Sequence, residues 1–202
     1  MIARLLSLMS RVEFQPFWRW VYRIALGGLG HMSAEPSLNG ERRFLREWAQ
    51  IQTGLGAGRA VVLDIGANEG DFAADVLAVL DDVEVHCFEP NPETGRRLAA
   101  RYEDEPRVRV NPVAVGSEAG MLELHDYSGE QGSTHASLLP ETFVDIYPAE
   151  TKSVPVTITS VDDYLADKGI TRVALIKVDV EGFEQNVFAG MTQSVADGRV
   201  DA

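Results

Sequence analysis

Val62-Leu63-Asp64-Ile65-Gly66-Ala67-Asn68-Glu69-Gly70 decides how this chain folds. An apolar run, Ala60 to Leu63, leads into it, as expected of a short strand covered on both faces. Two glycines then bend the backbone, and residues 70–80 follow with Phe72, Val76, Leu77 and Leu80 on one side of a helix. A strand-to-helix turn at the carboxyl end of the first strand is where open α/β sheets bind ligands. The spacing is Asp-x-Gly-x-Asn-x-Gly. It is neither the dinucleotide pattern G-x-G-x-x-G nor a phosphate loop, since no G-K-[ST] follows. Asn68 stands where a third glycine would serve a dinucleotide, and Asn tolerates a left-handed backbone better than most residues.

Working outward, the alternation continues. Val83 to Phe88 is predicted to be a second strand, Glu93 to Tyr102 a helix started by Pro92, and Val108 to Asn111 a third strand. Strand, helix, strand, helix, strand implies right-handed crossovers and a parallel sheet. Met121 to Leu124 and the alternating Val154 to Ile158 read as strands. Ser160 caps a helix through Ala166, and Val173 to Val180 is the longest buried-strand candidate. Gly182 to Ala189 is predicted helical, with Phe183, Val187 and Phe188 inward. Residues 128–150, rich in Ser, Gly, Thr, Pro and Glu, read as a long loop of the lid type. Upstream, Phe44, Leu45, Trp48 and Ile51 have helical spacing over 41–52, and Gly54, Gly56 and Gly58 end that helix.

Two acids stand at strand ends. Asp64 closes the first strand, and Glu89 follows the second, 19 residues past Gly70. An acid at that second position accepts hydrogen bonds from ribose hydroxyls in nucleoside-binding sheets. A carboxylate at the first disfavours a pyrophosphate and favours a cation. S-adenosylmethionine is such a ligand, with an ammonium, a sulfonium and no phosphate.

Composition sets the outer bounds. The chain has 202 residues, 45% hydrophobic and 24% charged, enough for one domain with a core. Its formal charge of −13 argues against nucleic acid as a partner. That charge is unevenly spread: residues 1–34 carry four arginines against Glu13 alone, a local +3, which leaves −16 on the rest. The same segment holds Phe14, Phe17, Trp18, Trp20 and Tyr22. Its apolar stretch is too short and too interrupted for a signal peptide or a spanning helix. Through residues 1–30, a basic aromatic helix of this kind either touches a membrane surface or packs on the domain or a partner chain. The division expected is a leader and linker at 1–35 and a ligand-binding domain at 36–202, in a cytoplasmic or membrane-peripheral protein. The single cysteine, Cys87, excludes an internal disulfide framework and reads as core.

Four blocks carry a family resemblance: Val62 to Gly70, Phe-Glu-Pro-Asn-Pro at 88–92, Asn-Pro-Val-Ala-Val-Gly at 111–116, and Ile-Lys-Val-Asp-Val-Glu-Gly-Phe-Glu at 176–184. In order and spacing they resemble the FkbM-type S-adenosylmethionine-dependent methyltransferases over roughly residues 40–202. The resemblance implies a Rossmann-like class I methyltransferase sheet, mostly parallel with helices on both faces. It also implies O-methylation of a sugar, glycan or natural-product hydroxyl. By position, Asp64, Gly66, Ala67, Asn68 and Gly70 would cradle the methionine part of the cofactor. Glu89 would hold the ribose, Pro90 and Asn91 would border the adenosine, and Ala114 and Val115 would line the adenine. The alternative for the last pair is a tight turn after the third strand.

Asp179, Glu181 and His135 are the candidates for work on the acceptor. Methyl transfer needs an aligned oxygen nucleophile and a group to receive its proton. Asp179 lies at the ligand edge of the sheet. Glu181 either orients substrate or is an acid in a helix's first turn. His135 is either a base on the long loop or an exposed histidine. Lys177 is expected to pair with an acid. His31, His86 and His125 receive no role. Asp179 and Glu181 could contribute to a magnesium site, but no third ligand is evident, so no metal is assigned.

Other classes compete. The absent G-x-G-x-x-G counts against a nicotinamide oxidoreductase, and charge counts against a nucleic-acid base methyltransferase. A methyltransferase domain that binds cofactor or a partner without turnover stays open. Its motive is the end of the chain, where Gly198 to Ala202 reads as the opening of another strand. On that reading the C-terminal strands are truncated, Val173 to Val180 becomes an apolar sheet edge, and self-association through that edge follows.

Overall fold

The computed structural model describes residues 40–56, 58–127 and 151–202. The chain divides into two compact units, Met1–Gly54 and Leu55–Ala202. The described part of the first unit is essentially one helix, α1 (Glu41–Leu55), which runs through Gly54. Among the described residues no helix is long and apolar enough to cross a membrane.

The second unit begins with the expected alternation. The elements are β1 (Ala60–Ile65), α2 (Asp71–Val79), β2 (Val83–Phe88), α3 (Pro92–Arg101) and β3 (Val108–Asn111). There follow β4 (Ala114–Val115), β5 (Gly120–Tyr127), β6 (Thr151–Thr159), α4 (Val161–Lys168), β7 (Leu175–Val178), α5 (Glu184–Ala189) and α6 (Thr192–Ala196). One sheet has four parallel strands in the order β3-β2-β1-β7. The second has three, β4-β6-β5, with β4 parallel and β5 antiparallel to β6.

Local chemistry accounts for the helix starts. Asn91 Oδ1 accepts from the Glu93 and Thr94 amides at 2.9 and 3.3 Å, and Pro92 fills the first helical position of α3. Ser160 Oγ accepts from the Asp163 amide at 3.0 Å to cap α4, and Gly169, at φ +64°, closes that helix left-handed.

Helices cover both faces of the four-stranded sheet. On one face Leu63, Ile65 and Phe88 pack with Val161, Tyr164 and Leu165 of α4 and Val187 of α5. On the other, Lys177 of β7 lies over the Phe72 ring of α2, and the Leu98 and Tyr102 side chains approach Gly70 at the start of α2. The three-stranded sheet carries its own core, in which Leu124, Val156 and Ile158 meet Phe183. The parallel sheet with helices on both faces is the Rossmann-like α/β fold.

The structure corrects three expectations. Regular pairing in β7 covers Leu175–Val178 rather than 173–180. Beyond it Glu181 and Gly182, at φ +49° and +100°, swing the chain out of the strand. Phe188 is half exposed, because the short helix α5 turns Val187 inward instead. The upper edge of β7 is not bare: the Val173 amide donates to Arg199 O at 2.7 Å, Asp201 to Val173 O at 3.0 Å, and Ile176 to Ala202 O at 2.9 Å.

Candidate active site

A cleft opens at the carboxyl ends of β1, β2 and β7, where β4 and β5 of the second sheet close its far side. Its lining divides by character. One wall is polar, with Asn68, Glu89, Asn91 and Thr94. The other is apolar, with Val113, Val115, Leu124 and Val180. Asp179 and Glu181 stand at the rim. Among the described residues the lining contains three carboxylates and no lysine, arginine or histidine.

Glu89 is the best-held acid in the cleft. It is only 8% exposed, and its carboxylate accepts the Asn68 amide on Oε2 and the Asn91 amide on Oε1, each at 2.9 Å. Burial pushes its pKa above the usual carboxylate value, and the two amide hydrogen bonds oppose that shift. Each oxygen has used one lone pair on the backbone and keeps another for a ligand donor. Asn68 is itself left-handed, at φ +48°, and its Oδ1 is buried with no hydrogen-bond partner among the described residues. A buried acceptor without a donor is costly, and a ligand N–H or O–H would satisfy it. The Asn91 side chain is spent on the α3 cap, so Asn91 borders the cleft without offering its amide oxygen.

Of the residues expected around a cofactor, Gly66, Asn68, Glu89, Pro90, Asn91, Ala114 and Val115 line the cleft, and Asp64, Ala67 and Gly70 do not. The reason is depth along the strand and packing. Asp64 lies one residue inside β1, paired with Cys87 on one side and Lys177 on the other, and is fully buried on the α2 face. Its Oδ1 is 3.4 Å from Lys177 Nζ. Gly70 starts α2 at φ +84° against Leu98 and Tyr102, and the Tyr102 hydroxyl donates to its carbonyl at 2.6 Å. Ala67 is buried between them. Gly66 lines the cleft, but its lack of a side chain answers a packing need. A Cβ there would sit 1.8 Å from the Asp179 carbonyl oxygen. Ala114 and Val115 are not a simple turn: they form β4, which pairs with Ile158 and Thr159 of the second sheet.

Asp179 and Glu181 do come together at the rim; His135 lies outside the described residues. Glu181 is one of two described non-glycine residues at positive φ, and Asn68 is the other. Both border the cleft, and backbone held in sparsely populated regions concentrates at functional sites. No group of described residues has the three or more His, Cys, Asp or Glu side chains needed to hold a metal. Burial beside Asp64 pushes the Cys87 thiol pKa up, so it is inert core.

Six lining residues lay outside the sequence reading of the site: Ile65, Phe88, Thr94, Val113, Leu124 and Val180. Thr94 was reachable, since the first turn of a helix started by Asn91-Pro92 faces back over the end of β2. Val113 and Val180 sit inside the quoted blocks, between residues already chosen. Leu124 gives no local signal, because the second sheet carries it into place.

Comparison with known proteins fits this geometry. Residues 64–201 match the model of the methyltransferase FkbM domain. The 2-O-methyltransferase NoeI of Sinorhizobium fredii is 27% identical over 146 residues, covering 69% of this chain and 60% of that protein. The 31-O-demethyl-FK506 methyltransferase FkbM of Streptomyces tacrolimicus is 26% identical over 174 residues, covering 75% of this chain and 65% of that protein. The chain thus spans less than two thirds of the length of either relative. With its family model matched over most of its length, the chain belongs to the FkbM methyltransferase domain family.

Proposed function

We propose that this chain is an S-adenosylmethionine-dependent O-methyltransferase that acts on a hydroxyl of a sugar, glycan or small natural product. One observation carries the cofactor assignment: at the ligand edge of a Rossmann-like sheet the described lining presents three carboxylates, Glu89, Asp179 and Glu181, and the nearby Lys177 lies outside that lining, against Asp179. A dinucleotide would bring two phosphate charges into an acidic cleft. A cationic nucleoside brings the complementary charge. The two O-methyltransferase relatives support the hydroxyl acceptor.

When bound, S-adenosylmethionine supplies a methyl group on a sulfonium, open to in-line attack by an oxygen. The chain's own residues supply the rest. Glu89 accepts hydrogen bonds from the ribose hydroxyls with the lone pairs its backbone contacts leave over. Asn68 Oδ1 takes a ligand donor, and Ala114 and Val115 give the adenine an apolar wall. Asp179 and Glu181 line the open rim, where an acceptor must approach. Asp179 orients the acceptor hydroxyl and receives its proton as the carbon–oxygen bond forms.

Calorimetric titration with S-adenosylmethionine and with NAD tests the cofactor reading. Binding of the first and not the second is expected, followed by transfer of a labelled methyl to hydroxyl-bearing acceptors. NAD binding, or no heat with S-adenosylmethionine, would overturn it.

A further inference from the structure

Lys177 lies between two acids that the cleft treats differently. Its Nζ is 3.4 Å from Oδ1 of the fully buried Asp64 and 3.5 Å from Oδ2 of Asp179, whose side chain is 65% exposed. The lysine side chain is mostly covered, at 22% exposure, and its Nζ sits 5.5 Å above the Phe72 ring centroid. The arrangement follows from strand parity. Lys177 is opposite Asp64 in the β1–β7 ladder, and Asp179, two residues on, returns to the same side. The Asp179 amide still donates to Ile65 O at 2.9 Å, which fixes its backbone to β1. Its side chain is exposed, and an exposed aspartate without a fixed partner samples several rotamers.

We propose that Lys177 is a positioning residue: anchored on the buried Asp64, it holds the Asp179 carboxylate at the rim of the cleft, in place for cofactor and acceptor. This rests on the cofactor reading above. A lysine that reaches from the core to the rim converts the buried Asp64 charge into an orienting device. Two carboxylates sharing one cation also explain why Asp64 stands in the β1 motif while lying outside the cleft.

The single variant Lys177→Met would strand a buried carboxylate, so the test uses pairs in the full chain. Asp64→Asn with Lys177→Met removes the buried charges together. It is expected to melt within a few degrees of wild type, yet bind S-adenosylmethionine about tenfold more weakly. Adding Asp179→Asn to that pair should cost no more, because the group on which Lys177 acts is then already lost. Lys177→Arg, which keeps a cation between the acids, should bind within about threefold of wild type and supports the bridge independently of position 64. Wild-type affinity in the Asp64→Asn/Lys177→Met pair would overturn the inference and leave the cofactor reading intact. So would an Asp179→Asn effect as large in that pair as in wild type, or a Lys177→Arg variant no better than the pair. Failure of wild type to bind the cofactor would remove both.

Discussion

The carboxyl ends of β1 and β2 look alike in sequence, each an apolar strand followed by an acid and a turn, and the fold uses them in opposite ways. Asp64 is one residue inside β1 and faces the α2 side, where Lys177 neutralises it. Glu89 is one residue beyond β2 and enters the cleft, held by the Asn68 and Asn91 amides rather than by a cation. A shift of two positions relative to the strand end separates a packing acid from a binding acid. The β1 end is therefore expected to respond to substitution in stability, and the β2 end in ligand affinity.

The largest effect is expected at Gly66. Its φ of +83° and a Cβ placed 1.8 Å from Asp179 O leave no room for alanine. Gly66→Ala should lose more than about 3 kcal/mol by urea unfolding. A change below about 1 kcal/mol would remove Gly66 from the packed class.

Asp64→Ala comes next. It takes the buried carboxylate away from the mostly covered Lys177, so a loss of about 2–4 kcal/mol is expected. Addition of Lys177→Met should return most of it, and an additive loss would contradict the pairing.

Glu89→Gln turns an NH2 group toward one of the two backbone amides the carboxylate accepts, so it should cost about 1–2 kcal/mol at neutral pH, while weakening S-adenosylmethionine binding by at least about tenfold, or 1.4 kcal/mol. The pH dependence has a definite sign. The folded-state pKa of Glu89 is raised, so its ionisation costs stability in the fold. That stability is present below the unfolded carboxylate pKa and is lost as pH rises through the folded value. Melting curves from about pH 7 down to pH 4 should therefore show wild type gaining on Glu89→Gln. The opposite trend would mean that the amide hydrogen bonds outweigh burial.

The smallest effect is expected for Asn68→Gly. Glycine adopts φ +48° freely, so stability should hold or rise by a few tenths of a kcal/mol. Loss of the buried Oδ1 should weaken cofactor binding a few-fold. Unchanged affinity would place that oxygen outside the binding wall.

The contrast also explains what could be read from the chain alone. Continuous apolar runs made the parallel sheet legible, and Val83–Phe88 and Val108–Asn111 are the strands expected. Glu89, Pro90 and Asn91 were legible in the site because each lies just past a strand end. The place of Asp64 outside the cleft lining was not legible, because an acid next to a turn gives no sign of whether it lies inside or beyond the last pair of the ladder. For Ala114–Val115 a tight turn stayed open beside the adenine wall because two residues carry no period, and the pairing with β6 is non-local. Leu124 reaches the cleft through that same second sheet. Nothing in Val180-Glu181-Gly182 announces a left-handed glutamate, since tertiary packing imposes that backbone.

The central claim is that the carboxylate at the end of β2 binds the cofactor. Parallel calorimetric titrations of S-adenosylmethionine into wild type and Glu89→Gln, each with its melting temperature, test it most directly. Wild-type binding is expected, with a loss of at least about tenfold in the variant, whose cooperative melt a few degrees lower shows that it is folded. Equal affinities in the two proteins, or no binding to wild type, would contradict it.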